Sequence, residues 1–162
     1  MTVKKEFNFA IDETRTRTVD VNNLVIAGWT GRNIDAMEAH ISELEELGVS
    51  RPSKIPSFYR CSVGLLTMEE KFQVIGTDSS GEIECFILSL SDGYWVGLGS
   101  DHTDRVIEAS DVAVSKQMCA KPIARGLWRY EDVVDHWDQL VLKSTIIVDG
   151  KEEQYQEGSV TT

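Results

Sequence analysis

A single stretch of helical periodicity among many strand-like runs constrains the fold more than any other feature of this sequence. Between about residue 33 and residue 47, apolar residues recur at helical spacing, and Gly48 follows as a C-cap. Elsewhere, short runs alternate polar and apolar residues or are apolar throughout, which is typical of strands. These runs cover residues 6–11, 14–19, 24–29, 57–60, 72–75, 81–88, 94–98, 140–148 and 151–155.

These elements predict one α+β domain over residues 1–162, dominated by a mixed or antiparallel sheet. The length suits one domain with a sizeable core and is short for two. Asp149 and Gly150 are typical of a hairpin turn, whereas residues 109–119 fit a helix or a strand. The chain ends soon after the hairpin, at Thr162, and we therefore expect a shortened form of a longer protein.

Composition argues against two classes of partner and favours one compartment. Sixteen basic and 27 acidic residues give a formal net charge of −11, which disfavours binding to nucleic acid or to an anionic membrane surface. No apolar run approaches the length needed to span a bilayer. The three cysteines, Cys61, Cys85 and Cys119, are widely spaced and predict no disulfide framework. A cytoplasmic location is the expectation.

Two glutamates in one strand-like run form a candidate metal site. In an extended strand, Glu82 and Glu84 point to the same side, where their charges repel and are costly to bury without a cation between them. Asp101, from the loop after the next strand, would complete a set of three carboxylates suited to Mg²⁺ or Mn²⁺. The alternative is the solvated face of an edge strand.

His40 and Glu43 form a candidate acid–base pair. They are three residues apart in the predicted helix, so they share one face and can touch. Glu43 could then orient the imidazole while its second nitrogen activates a water molecule. The alternative is a histidine at the rim of the helix, beside a solvated acidic face.

Four short motifs occur in a fixed order along the chain. They are residues 31–33 followed by His40 and Glu43, residues 58–61, residues 82–84, and the loop 99–105 with Lys116 downstream. In this order they resemble the fumarylacetoacetate hydrolase family, and more closely a small bacterial family related to it. The resemblance implies a mixed β-sheet sandwich or roll with one main helix, incomplete at the C-terminus because the closing strands of that family are missing.

The same resemblance implies a divalent-metal-dependent hydrolase or decarboxylase that cleaves a C–C bond in a small β-dicarbonyl or 2-oxo acid. It also implies a homodimer, which an uncovered sheet edge would favour as well. The competing interpretation is a non-catalytic binding or assembly domain that keeps the fold. The implied site has catalytic His40, Glu43 and Lys116, substrate-binding Arg60, Thr103 and Arg105, and metal ligands Glu82, Glu84 and Asp101 for Mg²⁺ or Mn²⁺.

Two of these residues have ordinary structural interpretations. Lys116 could be a solvated surface amine instead of a group that neutralises a substrate carboxylate or an enolate. Arg105 could form a structural ion pair with Asp104 or Asp101. Both interpretations stay open from the sequence alone.

Overall fold

A computed structural model describes residues 3–46 and 51–160, and the side chains of Ala36 and His40 lie outside that description. The described chain has an α+β fold with few helices. Its strands are β1 Lys5–Ala10, β2 Thr16–Val21, β3 Leu24–Gly28, β4 Ser57–Cys61, β5 Leu66–Thr67, β6 Ile83–Leu90, β7 Gly93–Ser100, β8 Lys121–Arg129, β9 Val141–Val148 and β10 Lys151–Ser159. Its helices are α1 Ile34–Glu46, α2 Arg105–Glu108, α3 Val112–Met118 and α4 Tyr130–Val133, with short 3-10 turns at Val63–Leu65 and Val134–Gln139.

The main sheet is mixed. Its strand order is β2-β1-β8-β7-β6, and β5 pairs beside β8. Strand β8 runs parallel to β1 and β5 and antiparallel to β7, whereas β1–β2 and β6–β7 are antiparallel. Strands β3 and β4 form a separate two-stranded ribbon, and β9 and β10 form a hairpin. This architecture confirms the predicted α+β fold with a mixed sheet.

The hydrophobic core lies on one face of this sheet. Alternate residues of β1, Phe7 and Phe9, are buried together with Leu127 of β8 and Trp95 of β7. Because strand side chains alternate between faces, this period of two is what buries one side of each strand. None of the helices in the two described ranges is long and apolar enough to cross a membrane.

Most of the predicted strands are present, but the strand predicted at residues 72–75 is wrong. They follow an irregular path: Ile75 is exposed, and Gly76 has a positive φ of 71° that turns the chain. The helix predicted between residues 33 and 47 is α1, while its C-cap at Gly48 lies outside the described residues. Asp149 and Gly150 both have positive φ, as the predicted hairpin turn requires.

The secondary structure of two segments could be assigned only from the structure. The ambiguous residues 109–119 contain helix α3, which begins where the Asp111 carboxylate accepts a hydrogen bond from the Val114 backbone N–H. Strand β8, in the interior of the sheet, was not predicted. Pro122 and Gly126 interrupt its pattern, and both residues are uncommon inside strands.

Gly97 illustrates how closely β6 and β7 pack. The Phe86 ring lies across the strand pair opposite Gly97, and a Cβ at this position would be 2.2 Å from the Phe86 ring. We expect Gly97→Ala to lower the free energy of unfolding by about 1–3 kcal/mol through overpacking. Urea denaturation followed by circular dichroism measures this loss.

Gly81→Ala is the matched control for this prediction. A Cβ at Gly81 would meet its nearest neighbour, Tyr155, at an ordinary 3.7 Å. Equal stability losses in the two variants would contradict the proposed packing of Phe86 over Gly97.

Candidate functional site

The candidate site is centred on Asp101, a buried carboxylate held by two buried lysines. Asp101 is 4% exposed, Lys116 7% and Lys121 2%. The Lys116 ammonium donates a hydrogen bond to Asp101 Oδ2. The Lys121 ammonium lies 2.8 Å from Oδ1, a charge contact whose angles are not those of a hydrogen bond. Two positive groups thus share one negative group away from bulk water.

Three elements bring these side chains together. Asp101 directly follows β7, and its backbone N–H donates to the Glu82 carbonyl at 3.0 Å. Lys116 lies in the last turn of α3, and Lys121 opens β8 a few residues later. Thr103 is fully buried, and its hydroxyl donates to the Asp101 carbonyl at 3.0 Å. The loop after β7 is therefore held tightly around the Asp101 carboxylate.

Lys116 stays protonated in this setting. Burial alone would lower the pKa of the Lys116 amine, but the charge of Asp101 and its hydrogen bond outweigh burial and raise that pKa above its ordinary value. The ammonium also lies 5.9 Å from the centre of the Tyr59 ring, a cation–π distance. The interpretation of Lys116 as a solvated surface amine is wrong.

Glu82 is also paired, but nearer to solvent. Its Oε1 accepts a hydrogen bond from Arg105 at 2.6 Å, and Arg105 binds Glu108 at 2.6 Å as well. The alternative partner Asp104 instead caps α2 by accepting from the Ile107 N–H at 2.9 Å. Arg105 therefore forms a structural ion pair, with partners other than those expected.

Glu84 is the acidic group of this cluster that keeps its carboxyl unpaired. No other described side chain forms a hydrogen bond or an ion pair with it. Burial, followed by the negative charges of Asp101 and Glu82, raises the pKa of Glu84 to about 7. The positive charges of Lys116 and Lys121 act in the opposite direction.

A cavity of about 660 Å³ opens beside Glu84. Its walls include Leu24 and Ile26 of β3 and Leu142 of β9. Glu84 is exposed and lines this cavity, so the burial of its carboxyl is partial. Glu84 thus connects the buried charge cluster to a space that a small molecule could enter.

The ion pairs do not suit the predicted metal. Asp101 is engaged by two ammonium groups and Glu82 by Arg105, so Mg²⁺ or Mn²⁺ would have to displace three protein cations. Across residues 3–46 and 51–160, no three His, Cys, Asp or Glu side chains are grouped so that they could hold a metal ion. A metal cofactor stays a prediction that these contacts disfavour.

Three other predicted residues lie apart from the cluster or outside the description. Arg60 is exposed on β4 and donates to Asn23 at 2.7 Å. Its neighbours along the strand, Tyr59 and Cys61, are on the opposite face, toward Lys116 and the buried interior. Glu43 is exposed on α1. The side chain of His40 lies outside the described residues, so the water-activating pair stays a prediction.

Lys121 is a site residue that the sequence analysis missed. Besides its contact with Asp101, its ammonium donates to the His102 backbone carbonyl. A signal was present in the sequence, because Lys121 is the one charged residue between Met118 and Ala124. A lysine in an apolar run that also carries strand-like residues indicates a buried cation with a partner.

Comparison with known proteins corrects the family expectation. The sequence model of one family, described as protein of unknown function (DUF2848), matches residues 27–162. The fumarylacetoacetate hydrolase family was not matched, so the expected membership in that family is wrong. Neither a curated protein nor a solved structure gave a match.

The buried pairs predict a large stability loss when Asp101 loses its charge. We expect Asp101→Asn to lower the free energy of unfolding by about 3–5 kcal/mol, because it leaves two buried ammonium groups without a counter-charge. Urea denaturation at neutral pH measures the loss. Asp20→Asn, which removes a carboxylate from the exposed pair with Lys4, is the control and should cost much less. Similar losses of stability in the two variants would show that water solvates the Asp101 carboxylate and its two lysines as well as it solvates the exposed pair.

The same pairs predict how the site responds to metal. We expect Lys116→Met to bind Mg²⁺ more tightly than the unmodified chain, because Oδ2 of Asp101 loses its ammonium partner. Isothermal titration calorimetry measures both affinities, and Lys143→Met, at an exposed pair with Glu157, is the control. Tight Mg²⁺ binding by the unmodified chain that Glu82→Ala abolishes would contradict our interpretation and support the metal site.

Proposed function

The chain belongs to the DUF2848 family, whose function is unknown, and we propose from the site alone that it is an enzyme that cleaves a C–C bond in a small anionic oxo acid. The observation that carries this proposal is the position of Glu84. It is an unpaired carboxyl, and it lines a cavity of about 660 Å³. This position supplies a proton donor beside a space for substrate.

Decarboxylation is the reaction that these groups support best. When the C–C bond of a 3-oxo acid breaks, its electron pair moves toward the carbonyl, CO₂ leaves, and an enolate forms. Lys116 does not line the cavity, so its positive charge would stabilise the negative oxygen of that enolate at a distance and not through a contact. Glu84 in its neutral form would give its proton to the enolate carbon and then recover a proton from water. Arg105, the predicted substrate-binding residue, is paired with Glu82 and Glu108 and does not line the cavity, so we assign it no role in this step.

Hydrolysis of the C–C bond is less well supported. It requires an attacking water molecule and a base to activate it. The predicted base is His40 with Glu43, and the side chain of His40 lies outside the described residues. Decarboxylation needs neither group, because loss of CO₂ breaks the C–C bond without an attacking water molecule.

The binding-domain alternative rests on a specific observation. Lys116, Lys121 and Arg105 all have carboxylate partners, as they would in a cluster that serves folding alone. In that case the raised pKa of Glu84 would be a by-product of its neighbours. Turnover distinguishes the decarboxylase from the binding domain, because a cluster that serves folding alone would not release CO₂ from an oxo acid.

The proposed acid predicts a definite pH dependence. Glu84 must be protonated to donate, so the rate of decarboxylation should be highest at low pH and fall as pH rises through the pKa of about 7. Glu84→Gln should lower kcat by about 10²–10⁴-fold and abolish this dependence. Release of CO₂ from acetoacetate and oxaloacetate between mildly acidic and mildly alkaline pH measures both effects.

Glu108→Gln is the control variant, because Glu108 binds Arg105 and lies on α2, away from the cavity. It should keep the pH profile of the unmodified chain. A rate that does not change with pH near 7, or a Glu84→Gln variant of full activity, would overturn the role of Glu84. Absence of turnover with every oxo acid tested would favour the binding domain.

A further inference from the structure

Strand β6 forms one edge of the main sheet. It is last in the strand order and has β7 as its neighbour on one side. The Glu82 carbonyl accepts a hydrogen bond from the Asp101 N–H on the side of β7. The backbone N–H and C=O of the next residue, Ile83, therefore point away from β7. Because these directions alternate along an antiparallel pair, Cys85, Ile87 and Ser89 also present their N–H and C=O groups outward.

Gln156 shows what these outward groups can bind. Its side-chain carbonyl accepts from the Ile83 N–H at 2.8 Å, and its side-chain amide donates to the Ile83 carbonyl at 3.3 Å. One amide thus makes the two hydrogen bonds that a residue of an added strand would make. Beyond Ile83, no hydrogen bond to the outer edge of β6 occurs within the described part of the chain.

The cavity of about 660 Å³ runs along this edge. It is lined by the consecutive residues 83–88 of β6, by the consecutive residues 23–27 around β3, and by residues 156–160 at the end of β10. A cavity against the face of a strand would meet every second residue, because side chains alternate. Contact with every residue in turn indicates that the cavity follows the strand edges. We call this space, between β6 and β3, the edge groove.

The lining of the edge groove indicates the chemistry of an occupant. Val25 and Ile87, one on each wall, are 53% and 55% exposed, so apolar side chains would find apolar contacts. The acidic lining residues are Glu84 and Glu157, and no Lys or Arg lines the groove among the described residues. Glu157 is paired with Lys143 at 2.9 Å, which leaves Glu84 for a basic group.

We propose that the edge groove binds an extended segment of another polypeptide, which pairs with β6 as an added strand. The segment has apolar side chains at alternate positions and a basic side chain opposite Glu84. Addition of a strand to an exposed sheet edge uses backbone hydrogen bonds for affinity and alternate side chains for specificity. A second copy of this chain suits the groove less well, because both partners would carry a net charge of −11.

The test uses two peptides of equal charge. The first is a fluorescein-labelled peptide of alternating lysine and valine, as long as the eight residues of β6. The second has the same sequence with every residue N-methylated, which removes the backbone hydrogen-bond donors along both edges of the peptide and keeps its charge. We expect the second peptide to bind at least about tenfold more weakly in fluorescence anisotropy, the loss of roughly 1.4 kcal/mol. Equal binding would overturn the proposal, because the acidic surface alone would then explain it.

A protein variant tests the location of the site. Proline is tolerated on an edge strand where its nitrogen faces away from the neighbouring strand, which is the position of Ile87. We expect Ile87→Pro to weaken binding of the first peptide at least about tenfold and Ile87→Val to leave it unchanged. Unchanged binding by a folded Ile87→Pro variant would overturn the location. Should this variant unfold, the N-methylated peptide decides the outcome.

Light scattering covers the remaining occupant, a second copy. A monomer in which Ile87→Pro changes only peptide binding supports the proposal. A dimer that Ile87→Pro dissociates would overturn it and assign the groove to a second copy, as the predicted homodimer would require. None of these measurements depends on turnover, so the edge groove and the proposed decarboxylase can fail independently.

Discussion

The shared burial of Asp101, Lys116 and Lys121 is the interaction on which the rest of the site depends. Removing a charge from water costs several kcal/mol for each ion, and the mutual attraction of the ions repays this cost only in good geometry. The three side chains come from the end of β7, from α3 and from the start of β8. Their pairing therefore also determines how these three segments meet, and it places the loop of residues 101–104 beside β6.

Glu82 and Glu84 show how one local pattern leads to two different groups. Glu82 directly precedes β6, and Glu84 lies within it. Arg105 reaches Glu82 and keeps it in an ion pair, whereas Glu84 faces the cavity and stays unpaired. Burial, and after it the charges of Asp101 and Glu82, raises the pKa of Glu84, so the paired carboxylates add to an effect that burial begins.

Local pattern predicted much of the fold and part of the site. Alternation located β6 and β7, and helical spacing located α1, because both patterns depend on neighbours in the chain. The grouping of Glu82, Glu84 and Asp101 as one metal site stays a prediction, and the cations that pair with Glu82 and Asp101 were not predicted. Which cations reach a carboxylate depends on segments distant in sequence, here α3 and β8. Strand β8 was not predicted because Pro122 and Gly126 interrupt its strand pattern. The metal was inferred from the carboxylates without knowledge of the lysines beside them.

Glu84 belongs to both the charge cluster and the edge groove, which links the two proposals through one titration. A strand in the groove would remove water from the carboxyl and thereby raise its pKa further. A basic side chain placed opposite would act in the other direction and favour the carboxylate. Because a bound strand and a small oxo acid would occupy the same cavity, a strand in the groove would exclude the substrate whichever residue lies opposite Glu84. The two proposed ligands would therefore compete for the site, and a bound strand would suppress the chemistry.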